Sequence, residues 1–163
     1  MEMIKGLFIE DDPENIKSYR DRFKLHDIDL LDIETFPKNA CDIWEIVIKT
    51  DVDFIIIDNH LHKKCVEYSG LDVLEEIRKQ DPEIYIIYLT SKGIDKKDPK
   101  LSKFDQEIDK INFTDQFQSI VQRIKRAYSR DVAYKFEREI SATQAIQQSY
   151  YNERLRLLKE KLG

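Results

Sequence analysis

The residues VDFIIIDNHLH (52–62) carry the clearest structural signal in this chain. Their four consecutive apolar residues, 54–57, are typical of a short strand that is buried on both faces of a parallel sheet. The run ends on a carboxylate, Asp58. Because open parallel sheets build ligand sites at the carboxyl ends of their strands, Asp58 is the first candidate for a functional residue.

Further apolar runs recur along the chain. GLFI (6–9), IYIIYL (84–89) and a weaker EID (107–109) are separated by segments with helical spacing, and IDLLDIETF (28–36) alternates in the manner of an edge strand. Strands that alternate with helices favour consecutive βα units. The sequence therefore predicts an α/β fold, with a doubly wound parallel sheet that helices cover on both faces.

The segments between these strands predict helices. Asp12 followed by Pro13 is typical of a helix start, because Asp caps the first turn and Pro has no N–H to leave unpaired there. Apolar residues recur at steps of three or four in three segments: Ile16, Tyr19 and Phe23; Ala40, Ile43, Trp44 and Val47; Leu71, Leu74 and Ile77. We interpret them as core residues. SKGIDKKDPKLSKF (91–104) has no such stripe and predicts a loop with at most a short helix.

The pattern changes after Thr114, where only helical spacing remains. The apolar residues of this stripe are Phe117, Val121, Ile124, Tyr128, Val132, Phe136 and Ile140. A continuous helix over 114–162 would be about 70 Å long, which exceeds one compact domain. We therefore expect a domain at 1–128 and a helical extension at 129–163. The stripe thins at 140–149, which predicts a bend or break there.

Composition narrows the function classes. The chain has 163 residues, is 41% apolar and carries a net charge of −5, which suits one domain with an extension and disfavours direct binding to nucleic acid or membranes. Its two cysteines, Cys41 and Cys65, fit neither a zinc site nor a disulfide framework and are expected to be reduced thiols. With no apolar run of membrane-spanning length and no signal peptide, a cytoplasmic protein is expected.

Polar residues follow several of the predicted strands, and the sheet edge would gather them. They are Glu10, Asp11 and Asp12 after the first strand, Asp58 after the third, Thr90 after the fourth and Lys110 after the fifth. Clustered carboxylates repel one another, and a hard cation such as Mg²⁺ relieves that repulsion. A nearby lysine would partly neutralise the carboxylates and could bind an incoming phosphoryl oxygen. Asp58 could then attack a phosphorus centre, and Thr90 could donate a hydrogen bond to a phosphoryl oxygen.

Four blocks in this order, FIEDDP, FIIID, IIYLTS and EIDK, resemble the receiver domain of two-component response regulators over about residues 1–128. The resemblance implies a flavodoxin-like (βα)5 sheet with the strand order 2-1-3-4-5. It also implies Mg²⁺ as cofactor and phosphorylation by a histidine kinase or a histidine phosphotransfer protein. The receiver would catalyse only this transfer and its own dephosphorylation.

By the same resemblance, each site position has an expected role. These are Glu10 and Asp11 as the acidic pair that binds the metal, Asp58 as phosphoacceptor and metal ligand, Thr90 as the hydroxyl residue, Lys110 as the invariant lysine, and His60 as the donor of a backbone carbonyl to the metal. Asp12 is expected to cap the first helix instead of binding the metal.

Three positions depart from the family pattern. The loop NHLHKKCVEYSG (59–70) is longer than usual and has no proline. Ile111 stands where proline usually follows the lysine, which puts the cis peptide expected there in doubt. Glu107 stands where many receivers place the aromatic residue that moves with the threonine. We therefore expect signal output through the last helix, by self-association or contact with a partner.

Two alternatives to a phosphorylated switch stay open at this stage. One is a pseudo-receiver, a protein-binding module in which the altered loop has slowed or abolished phosphorylation. The other is a phosphatase of the haloacid-dehalogenase type, which also uses an aspartate nucleophile with Mg²⁺. That chemistry requires a second acid two residues after the nucleophile, where this chain has His60.

Overall fold

The structure is a computed structural model that describes residues 3–91 and 103–163. Within these residues lies a five-stranded parallel sheet of order β2-β1-β3-β4-β5, as expected for the flavodoxin-like fold. The strands are β1 (Ile4–Ile9), β2 (Ile28–Asp32), β3 (Phe54–Asp58), β4 (Tyr85–Thr90) and β5 (Gln106–Asp109). The helices are α1 (Pro13–Lys24), α2 (Ile43–Thr50), α3 (Gly70–Gln80) and α4 (Phe113–Leu162).

Buried apolar side chains cover both faces of the sheet. On one face, aliphatic residues of β1, β3 and β4 pack with those of α2 and α3 in a single cluster. Its fully buried members include Leu7, Ile9, Ile55, Ile57, Val73, Leu74, Ile77 and Ile86. Alternate residues of the same strands point to the other face and are also mostly apolar, although β1 includes Lys5 and β3 and β4 end on Asp58 and Thr90.

A group of aromatic rings packs on the second face. Tyr19 of α1 stacks between Phe8 of β1, at a centroid distance of 5.0 Å, and Phe113 at the start of α4, at 4.0 Å. Phe23 meets Phe117 edge-on at 5.0 Å. Such contacts add to the free energy gained by burying the rings. They fix α1 and the first turns of α4 on this face.

The first helix begins as the sequence predicts. Asp12 is its N-cap and accepts a hydrogen bond from the backbone N–H of Glu14 at 3.0 Å, and Pro13 is the first helical residue. The edge strand β2 is shorter than the alternating run over 28–36, because its pairing with β1 ends at Asp32. Ile33 is nevertheless buried. The alternating pattern therefore indicates which residues are buried, even past the end of the strand.

The last helix is continuous. α4 extends over 50 residues through 140–149, so the break expected there is wrong, and the bend expected as its alternative stays a prediction. Alanine and glutamine favour helix in that stretch, and it has neither proline nor glycine. The thinning of the stripe reflects the loss of large apolar residues alone. The loop predicted at 91–104 falls mostly outside the described residues.

The chain divides into two compact units, residues 1–125 and residues 126–163. The functional boundary expected at residue 128 stays a prediction. Among the described residues, no helix is both long and apolar enough to span a membrane. The sheet and all the site residues considered next belong to the first unit.

Candidate functional site

Asp58, the last residue of β3, is almost completely buried, with 1% of its surface exposed. Its Oδ2 accepts a hydrogen bond from Nζ of Lys110 at 2.7 Å. Its Oδ1 is buried and has no hydrogen-bond partner within the described part of the chain. A buried oxygen without a partner is costly, so this atom is suited to a ligand or reactant that enters the site.

Glu10 follows β1 and is equally buried. Its Oε1 accepts the backbone N–H groups of Asp11 at 2.8 Å and Asp12 at 3.1 Å. Its Oε2 accepts bonds from Nδ2 of Asn15 at 3.3 Å and Nζ of Lys110 at 3.4 Å. The chain turn after β1 therefore fixes the orientation of this carboxylate before any ligand binds.

The three carboxylates predicted to bind a metal are brought together. One carboxylate oxygen from each of Glu10, Asp11 and Asp58 lies within 4.8 Å of the others. Hard oxygen donors in this number fit Mg²⁺, which keeps several waters and takes few protein ligands. The unpartnered Oδ1 of Asp58 supports the same conclusion, because its lone pairs are available to a cation or a phosphoryl group.

Burial alters the protonation of Glu10. Desolvation, the charge of Asp58 and a hydrogen bond with Asp11 raise the pKa of Glu10 from 4.5 to about 7, although Lys110 opposes them. A carboxyl with such a pKa is partly protonated near neutral pH in the absence of a cation. A cation held by Glu10 would favour the charged form of this carboxyl.

Lys110 follows β5 and reaches both buried carboxylates. Burial lowers the pKa of its ammonium, but the hydrogen bond to Asp58 and the charges of Asp58 and Glu10 outweigh this effect, so the pKa is raised. Lys110 is therefore a fixed cation of the site. It leaves Oδ1 of Asp58, and not Oδ2, as the available oxygen.

Thr90 is the last residue of β4 and is buried, with 4% of its surface exposed. It directly follows Leu89, which pairs with Asp58 in the sheet. Thr90 in turn pairs with Asp109, the residue before Lys110. The sheet register thus brings the hydroxyl to the same edge as the carboxylates and the lysine, as the sequence predicts.

His60 lies in the loop after β3. Its side chain is exposed, and its ring lies 5.6 Å from that of His62, centroid to centroid. Neither histidine belongs to a metal-binding cluster within the described residues. The role of the His60 backbone carbonyl as a metal ligand stays a prediction.

The loop at 59–70 contacts the acidic pair directly. The backbone N–H of Lys63 donates to Oδ2 of Asp11 at 2.7 Å, and the Lys63 ammonium lies 2.5 Å from Oδ2 of Asp12. This ion pair raises the pKa of Lys63 and lowers that of Asp12. The loop therefore already occupies one oxygen of a predicted metal ligand.

The end of the same loop is fixed against the site by Gly70. Its N–H donates to the carbonyl of Asn59 at 3.0 Å. A Cβ at this position would lie 2.0 Å from the carbonyl oxygen of Asp58, so a larger residue cannot fit unless the backbone moves. Ser69 and Asp72 then form a capping box that starts α3. Gly70 thus lets α3 begin against the backbone of Asp58.

Three residues near the site were not identified from the sequence. Asn15 and Lys63 contact the acidic residues from α1 and from the altered loop. Tyr19 was interpreted only as a core residue, yet Glu10 and Asp58 add to burial in raising its pKa to about 12. Tyr19 and Asn15 lie four residues apart on the same helix. This spacing places them on one face and is the only sequence signal that links them.

Comparison with known proteins agrees with this geometry. The response regulator receiver domain family matches residues 7–111, and the chain belongs to this family. The flavodoxin-like fold and the acidic pocket of Glu10, Asp11 and Asp58 are those of a receiver. No curated protein matches the chain in sequence.

Solved structures agree in fold. The chain is similar to response regulator protein TrrA from Thermotoga maritima, which was solved in complex with Mg²⁺-BeF. The two are 23% identical in sequence, the match covers 75% of this chain and 99% of TrrA, and the TM-score is 0.62. It is also similar to the BeF3-activated N-terminal receiver domain of RstA from Klebsiella pneumoniae, with 21% identity, 76% and 97% coverage and a TM-score of 0.60. TrrA has also been solved in complex with the histidine kinase ThkA.

Two departures from the family pattern are visible in the structure. The peptide bond between Lys110 and Ile111 is trans, and the Ile111 side chain is 81% exposed. Glu107 lies on β5 and is exposed. The position where many receivers have a moving aromatic residue therefore carries a solvated carboxylate.

Proposed function

We propose that the chain is a signalling switch in which Asp58 accepts a phosphoryl group from a histidine kinase or a histidine phosphotransfer protein, with Mg²⁺ as cofactor. The observation that carries this proposal is the state of the Asp58 carboxylate. One oxygen is bound by Lys110, and the other is buried beside Glu10 and Asp11 without a partner. This arrangement suits a nucleophile better than a structural carboxylate.

In the proposed step, Oδ1 of Asp58 forms a bond to phosphorus. The bond from phosphorus to the imidazole nitrogen of the donor breaks, and its electron pair stays on that nitrogen. Lys110 keeps its bond to Oδ2, which holds the carboxylate in place. Glu10 and Asp11 would hold Mg²⁺, which would offset the charge of the phosphoryl oxygens.

Dephosphorylation would use the same groups. A water molecule attacks phosphorus, the bond to Oδ1 of Asp58 breaks, and inorganic phosphate leaves. Thr90, at the end of β4, is proposed to donate a hydrogen bond to a phosphoryl oxygen. This self-catalysed cycle is the whole of the proposed chemistry.

The likeness to TrrA, which forms a complex with a histidine kinase, supports a kinase as the partner of this chain. The cytoplasm is the proposed location. Exposed Cys41 and Cys65 are compatible with it, because thiols stay reduced there.

The helical segment 126–163 is the proposed output element. Large apolar side chains are exposed along it, among them Phe136 at 62%, Ile146 at 71% and Tyr150 at 63%. Exposed apolar surface of this extent is typical of protein interaction sites. Phosphorylation of Asp58 would change the association of this segment with a second copy or with a partner.

A pseudo-receiver is the second candidate, and one contact favours it. The backbone N–H of Lys63 binds Oδ2 of Asp11, so the loop competes with a cation for that oxygen. If the loop keeps this hydrogen bond and excludes the cation, the fold would serve as a binding module without phosphorylation.

Beryllofluoride, which mimics a phosphoryl group on aspartate, separates the two candidates. We expect ¹⁹F NMR to detect a bound species only when both beryllofluoride and Mg²⁺ are present. Asp58→Asn should abolish the signal and Lys110→Ala should weaken it strongly. Lys103→Ala is the matched control, because this lysine binds Glu75 at 3.3 Å, outside the acidic pocket. The absence of a bound species in the wild type would favour the pseudo-receiver.

A further inference from the structure

The segment 126–163 carries an apolar stripe that two opposite charges interrupt. The stripe consists of exposed residues that occupy a sector of about 120° on an α-helix: Val132, Phe136, Ile140, Ile146, Tyr150 and Leu157. Between its ends, two charged residues fall inside this sector, Glu139 and Arg154. A charge within an apolar contact surface is costly unless an opposite charge meets it there.

These two charges have no ion-pair partner within the described residues. Other charges of the segment do: Arg156 binds Glu153 and Glu160 at 2.7 and 2.8 Å, and Lys135 binds Asp131 at 2.9 Å. Glu139 and Arg154 are 15 residues apart, about 22 Å along the helix, so they cannot pair with each other in one chain.

Their positions are symmetric about a point between residues 146 and 147. Glu139 is seven residues before Ile146, and Arg154 is seven residues after Gln147. A two-fold axis between 146 and 147 therefore brings Glu139 of one copy opposite Arg154 of a second, antiparallel copy, and it does so twice. The same axis brings Phe136 opposite Leu157, two of the large apolar residues.

A parallel pair of helices would bring like charges together instead. In register, Glu139 would face Glu139 of the second copy, and Arg154 would face Arg154. Like charges inside an apolar contact repel strongly because little water screens them. The stretch 140–152 between the two charges has no charged residue, so nothing in it opposes an antiparallel crossing.

We propose that residues 136–157 bind a second copy of this chain in antiparallel orientation, with Glu139 and Arg154 paired across the interface. This inference rests on the proposed output through segment 126–163 and specifies its partner. It makes charge complementarity, and not the apolar stripe alone, the determinant of orientation.

Charge reversal in the full chain tests the pairing, with the dissociation constant of the dimer measured by sedimentation equilibrium. We expect Glu139→Arg and Arg154→Glu each to weaken association at least tenfold, and the double variant to recover to within about threefold of wild type. Arg130→Glu, an equal change of charge outside the sector, is the control and should leave association unchanged. Circular dichroism shows whether each variant keeps its helix.

Neutralisation separates the two orientations. Glu139→Gln should weaken an antiparallel pair, because it removes an attraction, and strengthen a parallel pair, because it removes a repulsion. A spin label at Arg130→Cys, with Cys41→Ala and Cys65→Ala, gives the distance between copies. It should be about 50 Å in the antiparallel pair and about 20 Å in a parallel one.

Tighter association of Glu139→Gln, a double variant no better than the single ones, or the shorter label distance would overturn the inference. A chain that is monomeric with and without beryllofluoride would overturn it as well. The proposed phosphorylation is judged separately by the ¹⁹F signal, so the failure of one is distinguishable from the failure of the other.

Discussion

At the scale of single residues, the site depends on how buried charges compensate one another. Glu10 and Asp58 are each 1% exposed, and they share the ammonium of Lys110. Two buried carboxylates with one cation leave an excess of negative charge. Burial is the main cause of the raised pKa of Glu10, and the charge of Asp58 adds to it.

The raised pKa of Glu10 predicts a pH-dependent stability. Because the pKa of Glu10 is about 7 in the folded chain and 4.5 otherwise, the folded state binds more protons between these values. Its free energy of unfolding should therefore fall as pH rises from 4.5 to 7, by on the order of 1 to 3 kcal/mol. Glu10→Gln should remove this loss, as measured by urea denaturation with a metal chelator at several pH values.

The pH profile is the decisive part of that experiment. Glu10→Gln keeps a carbonyl oxygen for the N–H groups of Asp11 and Asp12, so the two proteins should be similar in stability near pH 5 and diverge above it. Parallel profiles for the two proteins would show that Glu10 does not carry the shift.

At the scale of elements, the sequence was informative where burial is periodic. The apolar runs predicted β1, β3 and β4 and the residues at their ends, because a strand that is buried on both faces consists mostly of apolar residues. The contacts of loop 59–70 could not be predicted. They depend on Lys63 meeting Asp11, 52 residues away in sequence, and no local pattern encodes such a meeting.

The continuity of α4 was missed for a related reason. Large apolar residues become fewer at 140–149, which from the sequence alone predicts a weaker helix there. Burial and helix formation are separate properties, since alanine and glutamine form helix well without a core to face. For β2 the predicted element was too long instead of interrupted. Ile33 continues the buried pattern although the strand ends at Asp32.

The junction between β3 and α3 gives a prediction at this scale. Gly70→Ala would introduce a Cβ 2.0 Å from the Asp58 carbonyl oxygen and 3.0 Å from Cα of Asn59, both of them backbone atoms. We expect a loss of about 1 to 3 kcal/mol in the free energy of unfolding, because overpacked sites force backbone shifts. Beryllofluoride affinity should fall as well, since the phosphoacceptor backbone moves.

Gly163→Ala is the matched control for this substitution. A Cβ there would come no closer than 3.3 Å to the carbonyl oxygen of Lys159, at the end of the chain, and stability should be unchanged. If Gly70→Ala equals wild type in urea denaturation and in beryllofluoride binding, the loop does not pack against Asp58 as described.

At the scale of the whole molecule, two units carry two different properties. Residues 1–125 contain the sheet and the buried acidic site, and the family match at 7–111 falls within them. Residues 126–163 carry the exposed apolar stripe and lie beyond that match. The first unit is proposed to receive the signal, and the second is proposed to transmit it through self-association.

The most direct test of this account is the intact mass of the protein after incubation with acetyl phosphate and Mg²⁺. The wild type is expected to gain one phosphoryl group. The gain should disappear when a chelator removes Mg²⁺ and should be absent in Asp58→Asn. A wild type that stays unmodified, or an Asp58→Asn variant that gains the same mass, would contradict the assignment of Asp58 as the phosphoacceptor.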